Sequence, residues 1–145
     1  MVTAELTARK YAAVVRLEVS ADMPAENGGR PGQLRVLASR SPRRTTAGTV
    51  MAGGRILRVA VRSVNPKWPP LLLCNGIGAT LELLQPFVNA LDPQREIIRF
   101  DAPGIGGSPP PVVPYHLAPL VTDLLDQLGY QQADVLGISW GGGLA

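Results

Sequence analysis

From residue 56 onward the apolar and polar positions follow a repeating order of short apolar blocks, turn residues and helically spaced apolar positions. Ile56-Leu-Arg-Val-Ala-Val-Arg62 alternates in part, as a strand with one wet face does, and Asn65-Pro66 followed by Pro69-Pro70 ends it. Leu71-Leu-Leu-Cys74 is continuously apolar, the pattern of a strand buried on both faces. A Gly-rich turn, Asn75-Gly-Ile-Gly78, leads to a helix whose start puts Pro86 in the first turn, with Phe87, Val88, Ala90 and Leu91 facing inward. Glu96-Ile-Ile-Arg-Phe-Asp101 is the next strand, ended by Pro103-Gly104, and residues 106–114 are loop. Leu117, Leu120, Val121, Leu124, Leu125 and Leu128 recur at helical spacing, with Gly129 as a stop. Ala133-Asp-Val-Leu-Gly-Ile138 forms the last strand. Strands alternating with amphipathic helices imply parallel pairing through right-handed crossovers, hence a doubly wound α/β sheet.

Residues 1 to about 20 have the pattern of a short helix or strand. Residues 22–54 are rich in Pro, Gly, Ser and Arg without sustained periodicity, so the first 53 residues read as a disordered or linker-like extension and order begins after Gly54. Composition sharpens this division. Gly and Pro (16 and 14 of 145 residues) make up about a fifth of the chain, too many for a helical bundle. The net charge of +3 is concentrated: residues 1–50 hold eight Arg or Lys against four acids, so the remainder is slightly acidic. The run Arg40-Ser-Pro-Arg-Arg44 has no aromatic residues interleaved for base stacking and reads as a solvated tail, not a nucleic-acid site.

No apolar run approaches the roughly 18 residues of a membrane span. The first 21 residues lack the layout of a secretion signal, and the single cysteine, Cys74, allows neither an intrachain disulfide nor a thiolate metal cluster. The expectation is a cytoplasmic protein without a membrane span, and no metal or organic cofactor is implied.

The sharpest chemical signal is Gly137-Ile-Ser139-Trp-Gly141 at the end of the last strand. A strand entering the serine and glycines after it suit a strained turn that lifts the hydroxyl above the sheet. Ser139 is therefore the candidate nucleophile. Such a serine needs donors aimed at the developing oxyanion: the Trp140 amide is one, and by position the Ile77 amide, in the turn after the earlier buried strand, is the other. Neither Gly76-Ile-Gly78 nor Gly104-Ile-Gly106 has the third glycine of a dinucleotide-binding turn. His116 precedes the serine, against the Ser, acid, His order of α/β-hydrolase triads, and reads as a surface or lid-loop histidine. Asp101, at the carboxyl end of its strand, is expected to organise the following turn through backbone amides. Cys74 reads as a small buried apolar residue. Trp140 fits equally a wall of the acyl pocket and simple packing.

Pro70-Leu-Leu-Leu-Cys-Asn-Gly-Ile-Gly-Ala79, Leu81-Glu-Leu-Leu-Gln-Pro-Phe-Val88, Phe100-Asp-Ala-Pro-Gly-Ile-Gly-Gly-Ser108 and Gly137-Ile-Ser-Trp-Gly-Gly142 together resemble the intracellular polyhydroxyalkanoate depolymerases of the α/β-hydrolase superfamily. The resemblance spans residues 53–145 in the family's order and spacing, with residues 54–62 as its first strand. It implies that residues 54–145 are the N-terminal half of an α/β-hydrolase domain, a mostly parallel sheet ending at the nucleophile elbow. It also implies a serine ester hydrolase that cleaves a poly(3-hydroxyalkanoate), or another acyl ester, through an acyl-enzyme, and that associates with the surface of polymer granules. Gly143 stands where the resemblance leads one to expect alanine.

In the superfamily the acid, the histidine and the lid follow later strands, and no residue after Ser139 here can act as a base. The expectation is that the 145-residue chain is truncated, inactive alone and marginally folded, with the serine-bearing strand an unpaired edge. The alternatives are another α/β-hydrolase, an esterase or acyltransferase, and a non-catalytic fragment that adheres to granules.

Overall fold

The computed structural model describes residues 7–9, 12–18, 44–64 and 67–144. Its strands are β1 (Thr7–Arg9), β2 (Ala12–Glu18), β3 (Arg44–Ala52), β4 (Arg55–Ser63), β5 (Leu71–Cys74), β6 (Ile97–Phe100) and β7 (Gln132–Ile138); its α-helices are α1 (Gln85–Ala90) and α2 (Leu117–Leu128). They form one sheet in the order β1-β2-β7-β5-β6-β4-β3. The centre, β6-β5-β7, is parallel, as the strand–helix alternation predicts. β4 joins β6 antiparallel, and β3 closes a hairpin on β4. Among the described residues no helix is long and apolar enough to cross a membrane.

Two expectations about the strands need correction. Order does not begin after Gly54: residues 44–52 form β3, paired with β4 from Arg44↔Ser63 to Ala52↔Arg55. The turn between them is Gly53-Gly54, both at positive φ. β3 shows no strand pattern in the sequence because Thr45, Ala47, Thr49 and Met51 leave one of its faces polar or lightly apolar, while Val50 and Ala52 supply only two buried residues. A half-exposed edge strand needs no longer apolar run. Nor is the serine-bearing strand an unpaired edge, because β2 runs antiparallel beside β7 from Ala12↔Ile138 to Glu18↔Gln132. Of the extension expected to be disordered, 7–9 and 12–18 are therefore strand, and 1–6, 10–11 and 19–43 lie outside the described residues.

The sheet is covered on both faces. On one, α2 lays Leu120, Val121, Leu124, Leu125 and Leu128 over Leu57, Val59, Leu72, Cys74, Ile98, Phe100 and Val135. Each such side chain removed from water contributes about 1.5–3 kcal/mol, so this stripe is the main tertiary support of the domain. Gly129, at φ 80, ends the helix, and the following Tyr130 N–H returns to the Leu125 carbonyl. On the other face a smaller cluster gathers Leu73, Val88 and Ile97 with partly buried Leu71, Leu84, Leu91 and Leu136. The shorter α1 contributes only Val88 as a fully buried residue; Phe87 and Ala90, expected inside, are exposed.

The strand period decides which side chains reach which face. In β6, Ile98 and Phe100 join the α2 side, whereas Ile97 joins the opposite cluster. By the same alternation Arg99 and Asp101 project to the face that carries Ile97, under the turn that follows β5.

Candidate active site

The parallel register brings two chain reversals to one edge of the sheet. Leu71 pairs with Asp134 and Cys74 with Gly137, so β5 and β7 end side by side, the first running into Asn75-Gly76 and the second into Ser139. A 3-10 turn over Ser139–Leu144 follows β7. Ser139 has φ 54, and it is the only described residue other than glycine with positive φ. For an L-residue that conformation is strained, and it persists only where the surroundings hold it.

The surroundings here are backbone. A Cβ on Gly137 would lie 2.3 Å from the Gly141 carbonyl oxygen, and one on Gly141 would lie 2.1 Å from the Cys74 oxygen and 2.8 Å from the Asn75 oxygen. Only glycine lets the reversal close on itself and against the end of β5. Gly76 approaches from the other side: its absent Cβ would sit 3.4 Å from Ser139 Cβ and 3.9 Å from Ser139 Oγ. The turn that carries Ile77 therefore passes directly beside the serine. Ile77 is 82% exposed and Trp140 is 40% exposed, so both residues adjoining this contact face solvent at the sheet edge.

The turn after β5 is held by polar groups. Asn75, almost fully buried, donates through Nδ2 to the Ala79 and Thr80 carbonyls at 3.2 and 3.3 Å, and the Ala79 N–H bonds back to Gly76. Asp101, wholly buried, accepts from the Leu81 N–H at 2.8 Å, from the Gly107 N–H at 2.9 Å and from Arg58 Nη1 at 3.3 Å. Its carbonyl accepts from the Ser108 hydroxyl at 2.6 Å, and that hydroxyl accepts from the Arg58 N–H. The sequence reading assigned Asp101 to the turn after it. The structure adds that it serves the turn before it as well. Arg58 also pairs with exposed Glu82 at 2.6 Å, and the hydrogen bond from Arg58 holds the Glu82 carboxyl down at about 2.

A second set of contacts reaches the residue after the serine. The Tyr115 ring meets the Trp140 ring edge-on, with centroids 6.5 Å apart. Arg55 lies 5.5 Å over Tyr115 and donates to the Val113 and Pro114 carbonyls at 3.1 and 3.3 Å. A strip with Pro109, Pro110, Pro111 and Pro114 is thereby fixed beside Trp140. Its Val112 is 97% exposed, so the strip shows an apolar surface to solvent.

The remaining candidates behave as ordinary structure. His116 is exposed and precedes the first turn of α2, with no side-chain capping bond. Cys74 is buried in the core, and burial pushes its thiol up to about 12, so it is no thiolate at neutral pH. Sequence reasoning passed over Arg55, Arg58, Leu81, Glu82 and Arg99. Arg99 alone left a signal, a charge inside the otherwise apolar run Ile97-Ile-Arg-Phe100.

A family model of the alpha/beta hydrolase fold matches residues 69–145, just over half of the chain. A curated poly(3-hydroxyalkanoate) depolymerase from Ectopseudomonas oleovorans is 52% identical over 100 residues, 67% of this chain and 35% of the relative. A 3-oxoadipate enol-lactonase 2 from Acinetobacter baylyi is 38% identical over 77 residues, 51% of this chain and 29% of the relative. The crystal structure of the enol-lactonase from Burkholderia xenovorans LB400 superposes with a TM-score of 0.51 at 28% identity, covering 56% of this chain and 33% of that one. The chain thus spans about a third of the length of the curated relatives it matches. With the strained serine at the end of β7, and a family match running from residue 69 across that serine, the chain belongs to the α/β-hydrolase fold family.

Proposed function

We propose that Ser139 is the nucleophile of a serine ester hydrolase whose substrate is a poly(3-hydroxyalkanoate). The observation that carries this reading is the positive φ of Ser139, enforced by Gly137 and Gly141, with Gly76 packed beside its hydroxyl. Strain of this kind, at a serine on an exposed sheet edge, is what a nucleophile requires and what packing alone does not.

In the proposed reaction Ser139 Oγ bonds to an ester carbonyl carbon as its proton passes to a base. The negative charge collects on the former carbonyl oxygen, where the Ile77 and Trp140 amides donate to it. Collapse breaks the ester C–O bond, the departing oxygen takes a proton and leaves as a hydroxyl chain end, and water then releases the acid from Ser139. The exposed apolar groups at this edge, Ile77, Val112, Val113 and Trp140, suit contact with a water-insoluble aliphatic polyester at a granule surface. The 52% identity to a depolymerase supports the substrate class.

The similarity to enol-lactonases favours a second reading, in which the same serine opens a small cyclic or aryl ester. Turnover separates the two. A hybrid in which this chain replaces the matching third of the Ectopseudomonas depolymerase should cleave 3-hydroxyacyl oligoesters with a higher kcat/KM than lactones or short aryl esters, and Ser139→Ala should abolish both activities. A preference for lactones or short aryl esters would favour the second reading. Undiminished hydrolysis by Ser139→Ala would remove Ser139 from either.

A further inference from the structure

Leu81 is gripped at both ends of its own backbone by charged side chains, one from β6 and one from the residue that follows it. Its N–H donates to Asp101 Oδ1 at 2.8 Å, and its carbonyl accepts from Arg99 Nη1 at 2.9 Å. Both charged residues are buried: Asp101 is fully enclosed and Arg99 is 4% exposed. Burial lowers the Arg99 pKa, although a guanidinium keeps its proton in any protein interior. Taking a guanidinium out of water inside a central strand is costly, and the cost is met only where its donors find acceptors. What Arg99 holds is the backbone carbonyl of Leu81, whose side chain is itself buried and whose neighbour Glu82 pairs with Arg58, so the bond fixes the direction of a backbone that packing already keeps in place.

We infer that Arg99 and Asp101 are positioning residues that clamp Leu81 and thereby fix the Gly76–Thr80 turn beside Ser139. The turn has two anchors. At its start, Asn75 leaves β5 and holds the Ala79 and Thr80 carbonyls; at its end, Leu81 is pinned to the strand next to β5. Between the anchors the Ala79 N–H bonds to Gly76, and just beyond Leu81 the Leu83 N–H bonds back to Thr80. Releasing the Leu81 anchor frees the far end of the turn, and with it the direction of the Ile77 amide. A displacement of about 1 Å in such a group is enough to cost a large factor in rate. The inference rests on the reading of the Ile77 amide as an oxyanion donor. It concerns the turn, however, and is tested there.

The test is nuclear magnetic resonance of the 145-residue chain. In the unsubstituted protein the Ala79, Leu81 and Leu83 amides should be as rigid as those of β5, with order parameters of about 0.85. Arg99→Met keeps an apolar volume but removes the donor. It should speed hydrogen exchange at Ala79, Leu81 and Leu83 by about tenfold, the size expected for a lost hydrogen bond to a charged group. It should also shift the Ile77 amide signal while leaving exchange at Leu124 and Leu125 of α2 and the melting temperature unchanged or improved. Arg99→Lys, which restores a cationic donor, should recover protection. A purely structural arginine predicts the reverse split, with melting temperature lost and every region loosened together. The inference is overturned if the Arg99→Met turn stays protected with Ile77 unmoved, if α2 loosens with the turn, or if Arg99→Lys fails to restore protection. It is also overturned, whether or not Arg99→Met folds, if the unsubstituted turn has order parameters below about 0.6. Failure of the hydrolase reading would leave the turn rigid and Ser139 unacylated, whereas failure of the clamp would show at these amides with Ser139 chemistry intact.

Discussion

The two flanks of Ser139 are held by different physics. On the side of β5 and β6 the turn around Ile77 is pinned by buried polar groups: the charged Asp101 and Arg99 on Leu81, and the Asn75 amide on Ala79 and Thr80. On the side of α2 the strip before Tyr115 is stiffened by prolines, tied by Arg55 to two carbonyls and set edge-on against Trp140, with its apolar side chains left in water. Hydrogen bonds to buried charges have narrow geometry, so the first flank is built for direction. Ring contacts and proline stiffness hold a surface in place without aiming any one polar group, so the second is built for contact. An enzyme of the proposed kind needs both, donors aimed at an oxyanion and a wall that accepts an apolar chain.

The largest effect should come from breaking what the flanks share. Gly141→Ala puts a methyl group 2.1 Å from the Cys74 carbonyl oxygen, where no flexible side chain can yield. It should destabilise the fold by about 3 kcal/mol and relax the Ser139 backbone, read as a lower denaturation midpoint. Gly143→Ala, with open space at its Cβ, is the control and should cost nothing.

Arg55→Met separates the flanks. It removes the bonds to Val113 and Pro114 and the cation over Tyr115, at a cost of about 1 kcal/mol or a little more. Proteolysis should begin at the strip containing Val112, and amide exchange around Leu81 should be unaltered. Loosening of both flanks together would contradict their independence.

Glu96→Gln should give a smaller effect, with a definite sign. Burial raises the Glu96 carboxyl above its usual range although the Tyr130 hydroxyl donates to it at 2.8 Å. A raised pKa means that the neutral acid suits the fold. Its stabilising share is complete below about pH 4.5 and is lost as pH rises through the shifted value. Glutamine keeps an acceptor for Tyr130 without the charge, so the variant should be more stable than the parent at pH 7, with the gain vanishing below about pH 4.5. Thermal melts at the two pH values check it. The smallest effect concerns Cys74: with its thiol at about 12, the native protein should take up no iodoacetamide at pH 8 and should react fully once unfolded.

How much of this was legible in the sequence differs between elements. α2 was read to its ends, Leu117 and Leu128, because a helix with an unbroken apolar stripe and a glycine stop leaves one interpretation. The strained turn at Ser139 was legible because such a turn requires small neighbours, and glycines are visible. β3 was missed because one of its faces is wet, and the pairing of β2 with β7 joins residues more than a hundred positions apart, beyond what local patterning reports. The clamp on Leu81 was invisible for a related reason. A side chain that bonds a distant backbone carbonyl leaves no periodic mark, and only the misplaced charge of Arg99 hinted at it.

The central claim is that Ser139 carries the acyl group. The most direct measurement is intact-mass and peptide-mass analysis of the hybrid in which this chain replaces the matching third of the depolymerase, quenched in acid during turnover of a 3-hydroxyacyl ester. The account predicts one acyl adduct on the peptide containing Ser139, absent from Ser139→Ala. Turnover with that peptide unmodified in every quenched sample, and an adduct on a different residue instead, would contradict it.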